Sequence, residues 1–155
     1  MTLAQLLSPD RVIADLQATE HWPAIVELVD HLISIDSYPI EDRDVVLEAF
    51  RQREEERSTG IGGGVAIPHC FSDTIEEVTT VFGRSTAGVD FCSIDRSPVH
   101  FIVLFVVPRS EYSAHLKTLA AIAKQLNSAD TRTQLGEADN ASELYEILTG
   151  QKAGV

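Results

Sequence analysis

Apolar positions set the first half of the chain in helical register: Ile25, Leu28, Val29, Leu32 and Ile33 recur three and four apart, the interval that lines one face of an α-helix. Thr19 is a cap candidate for this helix, and Pro23 lies near its first turn, where a missing N–H costs little. Pro39 opens a second helix in the same way. Ile40, Val45, Val46, Ala49 and Phe50 are expected on its inner side, with the charged stretch from Arg51 to Arg57 as its outer end. Upstream, Leu3 to Leu7 is an apolar opening ended by Ser8-Pro9-Asp10, a turn or short helical start, and Val12 to Leu16 predicts a short strand.

The pattern then changes to strand length. Val65-Ala66-Ile67 is a short extended run that Pro68 is expected to stop, because proline has no N–H to give a neighbouring strand; His69 then stands at a strand's edge. Val78 to Arg84 and Val99 to Val107 are rich in β-branched and aromatic residues. The second is mostly apolar, as a strand covered on both faces would be, and Pro108 closes it. Three helical patterns follow: Glu111 to Leu126, with Leu116, Leu119, Ala120, Ile122, Ala123 and Leu126; a shorter one through Thr131 and Leu135; and Ser142 to Leu148, with Ser142 as its cap. Helices outside and strands inside predict an α/β fold, a three-layer α/β/α sandwich. Gln151 to Val155 reads as a loose tail.

At 155 residues and 44% hydrophobic content the chain suits one domain, 1–155, rather than two. A formal charge of -12 argues against nucleic acid or an anionic membrane as partner, since both repel an acidic surface. The longest apolar run, Phe101 to Val107, is far short of the ~20 residues that cross a bilayer, so no membrane insertion is expected. No secretory leader is apparent, and two cysteines, Cys70 and Cys92, fit a reducing cytoplasm better than a disulfide framework.

One segment carries chemistry. Gly60, Gly62, Gly63 and Gly64 place four of the chain's nine glycines in five positions, and His69 follows. Glycines at this density contribute no apolar surface, so close approach of an anion to backbone N–H groups is the expected reason for them. Neither familiar nucleotide loop fits. A P-loop needs Lys followed by Ser or Thr after its last glycine, where Val65-Ala66 stand, and a dinucleotide fingerprint begun at Gly60 needs glycine at Val65. A histidine with an ordinary pKa near ~6.5 is largely neutral at cytoplasmic pH, and its ring nitrogen can accept a phosphoryl group. Backbone N–H groups, Thr59 and Arg53 could stabilise charge on the phosphoryl oxygens.

These residues resemble a known family: the fructose, mannitol and nitrogen-type enzyme IIA domains of the phosphoenolpyruvate-dependent sugar phosphotransferase system. The resemblance rests on Arg53-Glu54, Ser58-Thr59-Gly60-Ile61-Gly62 and Val65-Ala66-Ile67-Pro68-His69. It extends through Gly88-Val89-Asp90-Phe91, Ile94-Asp95 and Pro98-Val99, then His115-Leu116 ahead of Leu119-Ala120. The opening Leu6-Leu7-Ser8-Pro9 with Val12 and Leu16 looks more like the nitrogen-type regulatory branch than a sugar-specific one. The resemblance implies that His69 takes phosphate on Nε2 from a phosphohistidine carrier of the HPr type, with His115 and Arg53 as its helpers and Thr59, Gly60 and Gly62 as phosphate-binding residues. It also implies a central mixed β-sheet flanked by helices on both faces, a downstream partner, an enzyme IIB domain in the sugar branch or regulatory target proteins in the nitrogen branch, and no cofactor. Cys70 departs from the small residue common after the histidine, which bears on loop shape and redox sensitivity.

The other histidines, His21, His31 and His100, read as structural or solvated, and Trp22 as a packing residue at a helix start. Cys70 does not pair catalytically with His69, because neighbouring side chains on an extended chain point to opposite sides. A metal site of His69, Cys70 and His115 lacks the paired ligand spacing that such sites show.

Overall fold

The strand Val99–Pro108 (β6) is the axis of the molecule, as its apolar run predicts: every residue but His100 is buried. The computed structural model describes residues 3–56, 60–91 and 95–151. In chain order the elements are α1 (Leu3–Leu6), β1 (Val12–Ile13), α2 (His21–Ser34), α3 (Arg43–Glu56), β2 (Gly60–Gly62), β3 (Val65–Ala66), β4 (His69–Ser72) and β5 (Thr79–Val89). After β6 come α4 (Tyr112–Leu126), α5 (Ala129–Glu137) and α6 (Ala141–Thr149). Single 3-10 turns at Pro9–Arg11, Ile40–Asp42 and Arg109–Glu111 lead into β1, α3 and α4.

The sheet runs β1-β5-β6-β3-β2, with β4 also on β6. It is mixed, since β5 runs antiparallel to β6 while β3 and β4 run parallel to it. Alternation along β6 divides the interior. Ile102, Leu104 and Val106 meet α2 and α3 through Ile25, Leu28, Leu32 and Phe50. Phe101, Val103, Phe105 and Val107 face the other way, onto α1, α4, α5 and α6 through Leu6, Ile122, Leu135 and Leu144. This is the expected three-layer α/β/α arrangement.

Several local expectations are corrected. Pro68 does not end the strand: Val65 pairs with Phe101 and His69 with Phe105, an unchanged register, so β4 continues the line of β3 after a two-residue gap. Proline lacks the donor but keeps the acceptor, and Phe105 N–H donates to the Pro68 carbonyl at 3.0 Å. The strand expected from Val12 to Leu16 stops at Ile13. Helix α2 starts after Glu20, not Thr19. On α3 the inward stripe is Val46, Leu47 and Phe50, whereas Ile40 (68% exposed) and Val45 (61%) face solvent, because the 3-10 turn at Ile40–Asp42 resets the phase of the helix that follows. On α4 the inner line is His115, Thr118, Ile122 and Leu126; Leu116 and Ala120 are exposed. Asn140, rather than Ser142, caps α6, its side-chain oxygen accepting from Glu143 N–H at 2.9 Å.

Candidate functional site

His69 opens β4, which among the described residues has a neighbour on one side only, β6. The strand's alternation sends Cys70 toward α3 and Phe71 toward the α4 layer, so His69 shares the side of Phe71. Its ring is half-buried, and Nδ1 lies 2.9 Å from the Ile67 carbonyl oxygen. A carbonyl only accepts, so Nδ1 carries the proton and Nε2 keeps its lone pair. Burial pushes the imidazole below its ordinary value of 6.5; the Ile67 bond opposes this, nearby Arg53 adds to it, and Glu54 opposes it more weakly. The ring is therefore neutral at pH 7, with a nucleophilic nitrogen pointing away from its tether.

Arg53 and Glu54 come from the last turn of α3, so the same helix end delivers one charge of each sign to the ring. Arg53 also lines a cleft of about 340 Å³ with Ala49, Gln52, Glu56, Cys70, Phe71 and Arg109, against the edge of β4. Glu54 accepts from or pairs with His21 at 2.8 Å. On the opposite side, the Phe71 ring makes an edge contact with His69 (6.5 Å between centroids) and with Tyr112 (4.8 Å), linking β4 to the first turn of α4. One turn further on, His115 is the first residue of the inward stripe of α4, 4% exposed, with Nε2 3.1 Å from a Glu111 carboxylate oxygen. Arg53 thus lies within electrostatic reach of His69, and the Phe71–Tyr112 contact ties β4 to the helix that carries His115.

The glycine run does a different job from the one expected. Gly62, Gly63 and Gly64 have φ of 91°, 66° and 82°, the left-handed conformation that a side chain disfavours, and they form the turn between β2 and β3. The anion at this turn belongs to the protein: Asp95 accepts from Gly63 N–H and Ser97 N–H, both at 3.0 Å. Those two bonds hold its carboxyl below the usual range. A Cβ on Gly62 would come within 3.3 Å of Asp95, and one on Gly63 within 3.2 Å of Arg132. Gly62 pairs with Val65, four residues before His69, or ~13 Å of strand away. Gly60, opposite Ala66, is nearer; Thr59 lies outside the described residues.

Cys70 is packed in the α3 layer, and burial raises its thiol to about 12, so it stays protonated and inert beside His69. His31 and His100 bond the carbonyls of Asp10 and Ser85 at 2.7 Å, structural partners as expected. Trp22 packs under the Arg51 guanidinium at 4.6 Å. Sequence reasoning missed Glu111, although its i, i+4 spacing to His115 on a helical pattern was available as a signal.

Against known proteins, the profile described as "Phosphoenolpyruvate-dependent sugar phosphotransferase system, EIIA 2" matches residues 5–151. The "PTS system fructose-specific EIIA component" of Haloferax volcanii is 34% identical over 125 residues, 81% of this chain and 80% of that one. The "Nitrogen regulatory protein" of Pseudomonas aeruginosa is 31% identical over 152 residues, 98% of this chain and 97% of its own. Among solved structures, the nitrogen regulatory protein IIA-Ntr of Neisseria meningitidis superimposes with a TM-score of 0.85 at 28% identity, covering 95% of this chain and 99% of that one.

Proposed function

Because the chain belongs to the enzyme IIA type 2 family of the phosphoenolpyruvate-dependent sugar phosphotransferase system, a family of phosphoryl carriers, we propose that His69 is its phosphoryl acceptor. The observation that carries this is the tether: with Nδ1–H given to Ile67, Nε2 is the free nucleophile on a neutral ring. In the reaction the Nε2 lone pair attacks the phosphorus of a phosphohistidine on an HPr-like carrier. The new N–P bond forms as the donor's N–P bond breaks, and the donor imidazole leaves with its electron pair. Onward transfer repeats the exchange with this protein as donor.

Arg53 supplies a cation to the phosphoryl oxygens, which matters on a chain of net charge -12. His115 supplies a second donor, and the positive end of the α4 macrodipole, at its first turn, favours the added dianion. The Thr59 hydroxyl and the Gly60 amide remain the candidates for contacts to the phosphate; Gly62 is assigned to the turn. Full-length similarity to nitrogen regulatory proteins favours a regulatory role, exercised on target proteins according to the phosphorylation state. The 34% identity to a fructose-specific component supports the second reading, transfer to the cysteine of an enzyme IIB domain.

Incubation with phosphoenolpyruvate, the general phosphotransferase enzyme and its carrier is expected to add one acid-labile phosphoryl group, read by intact mass. Equal labelling of His69→Ala would remove His69 as acceptor. A purified IIB domain that draws the phosphate off would select the sugar reading; pull-downs that differ between the two phosphorylation states would select the regulatory one.

A further inference from the structure

The carboxylate of Glu111 is committed to a buried imidazole at the expense of its own helix. Glu111 stands at the N-cap of α4, where a side chain ordinarily accepts from the first amides, yet it makes no capping bond. It reaches instead one turn forward to His115 Nε2, at 3.1 Å. The two ends of this bond differ in surroundings: the His115 side chain is 5% exposed and the Glu111 side chain 48%. An ionised carboxylate can only accept, so the proton of the bond sits on Nε2. A buried imidazole N–H left without an acceptor would be costly, which fixes the ring.

We propose that Glu111 is the positioning residue of His115: by accepting the Nε2–H it fixes the ring and leaves Nδ1 as the nitrogen offered to the phosphoryl group. The inference rests on the phosphoryl-carrier reading above for the second half of that statement only. Its geometry follows that of a carboxylate orienting an imidazole for work at the opposite nitrogen. For Nδ1 to donate to a phosphoryl oxygen while Nε2–H stays on Glu111, His115 takes up one proton from solvent water as the phosphate arrives. The carboxylate then neutralises the imidazolium from the side away from the phosphate. On its exposed side Glu111 lines a surface cleft with Arg11, Glu76 and Glu77.

Two readouts test this independently. In the unphosphorylated protein, 15N NMR of the His115 ring needs no phosphoryl chemistry; it is expected to show the Nε2–H tautomer, with the preference lost in Glu111→Ala. A proton on Nδ1 in the wild-type protein overturns the proposal. For the phosphorylated protein, release of the phosphoryl group to its carrier is expected to slow about tenfold in Glu111→Ala, the value of one well-made buried bond, and to recover most of that loss in Glu111→Gln, which keeps an acceptor oxygen. Wild-type transfer by Glu111→Ala overturns it. If wild-type protein takes no phosphate at all, the carrier reading fails while the tautomer result still decides the role of Glu111.

Discussion

Arg84 offers the sharpest test of how the layers behind the site are held. It is buried at 7% exposure in β5, where its Nε–H donates to the Ala14 carbonyl at 3.1 Å and Nη1 donates to the carbonyls of Leu135, at 3.0 Å, and Ala138. One guanidinium thereby joins the segment after β1 to the C-terminal end of α5. Asp15, 4.0 Å from Nη2, is mostly exposed and adds little. Arg84→Met keeps an unbranched stem and removes the donors, leaving three inward carbonyls without them. Three bonds from a charged donor are worth about 4 to 9 kcal/mol before the guanidinium's own desolvation is subtracted. That cost is several kcal/mol, so the net loss expected is about 3 kcal/mol. For a chain of this size it lowers the melting temperature by roughly 6 to 12 °C. Urea unfolding followed by circular dichroism measures the change directly. A loss below about 0.5 kcal/mol would refute the reasoning, since desolvation would then equal everything the three bonds return.

The site gives three further expectations. Because burial lowers the His69 imidazole, the rate of phosphate acceptance is expected to stay level down to about pH 6.5 and to fall only below that, as the ring protonates; quench-flow labelling across pH 5 to 8 with a midpoint above 6.5 would contradict this. The same shift makes the unfolded chain bind its proton first, so the stability carried by the neutral ring is complete above pH ~6.5 and declines as pH falls from there toward the folded value. Cys70, its thiol raised to about 12, is expected to resist iodoacetamide at pH 8 in a Cys92→Ser background until the protein is denatured; labelling at the rate of a free thiol would show the packing to be wrong. Asp95 holds the glycine turn as a carboxylate of depressed pKa, so its contribution is present above the ordinary carboxylate value and lost as pH falls through the lower folded one. Asp95→Ala is expected to speed hydrogen exchange at Gly63 and Ser97 at neutral pH, and unchanged protection would count against the bonding given to it.

Periodicity made β6, α2 and the three C-terminal helices readable in the sequence, because each buries one face or both and its apolar spacing records that. What it could not supply was phase at a broken start. The 3-10 turn at Ile40–Asp42 shifts α3 so that Val45 points outward and Leu47 inward, and only tertiary packing chooses between those rotations. Pro68 misled for a similar reason, since a lost donor matters little on a strand whose outer side has no partner among the described residues. Residue type alone made His69 and Arg53 candidates in the sequence, and the fold sets the two within electrostatic reach of each other. The site was less legible where one side chain conditions another. The charge that the glycine turn receives comes from Asp95, 32 residues from Gly63 in sequence, and the partner of His115 is a cap residue that does not cap.

The central claim, that Ile67 holds Nδ1 and leaves Nε2 of His69 to take the phosphoryl group, is tested most directly by 31P and 15N NMR of the enzymatically phosphorylated protein. The account predicts one phosphorus bonded to Nε2 of His69, with Nδ1 still protonated, and no signal from His69→Gln. A phosphorus on Nδ1, on His115, or retained in His69→Gln would contradict it.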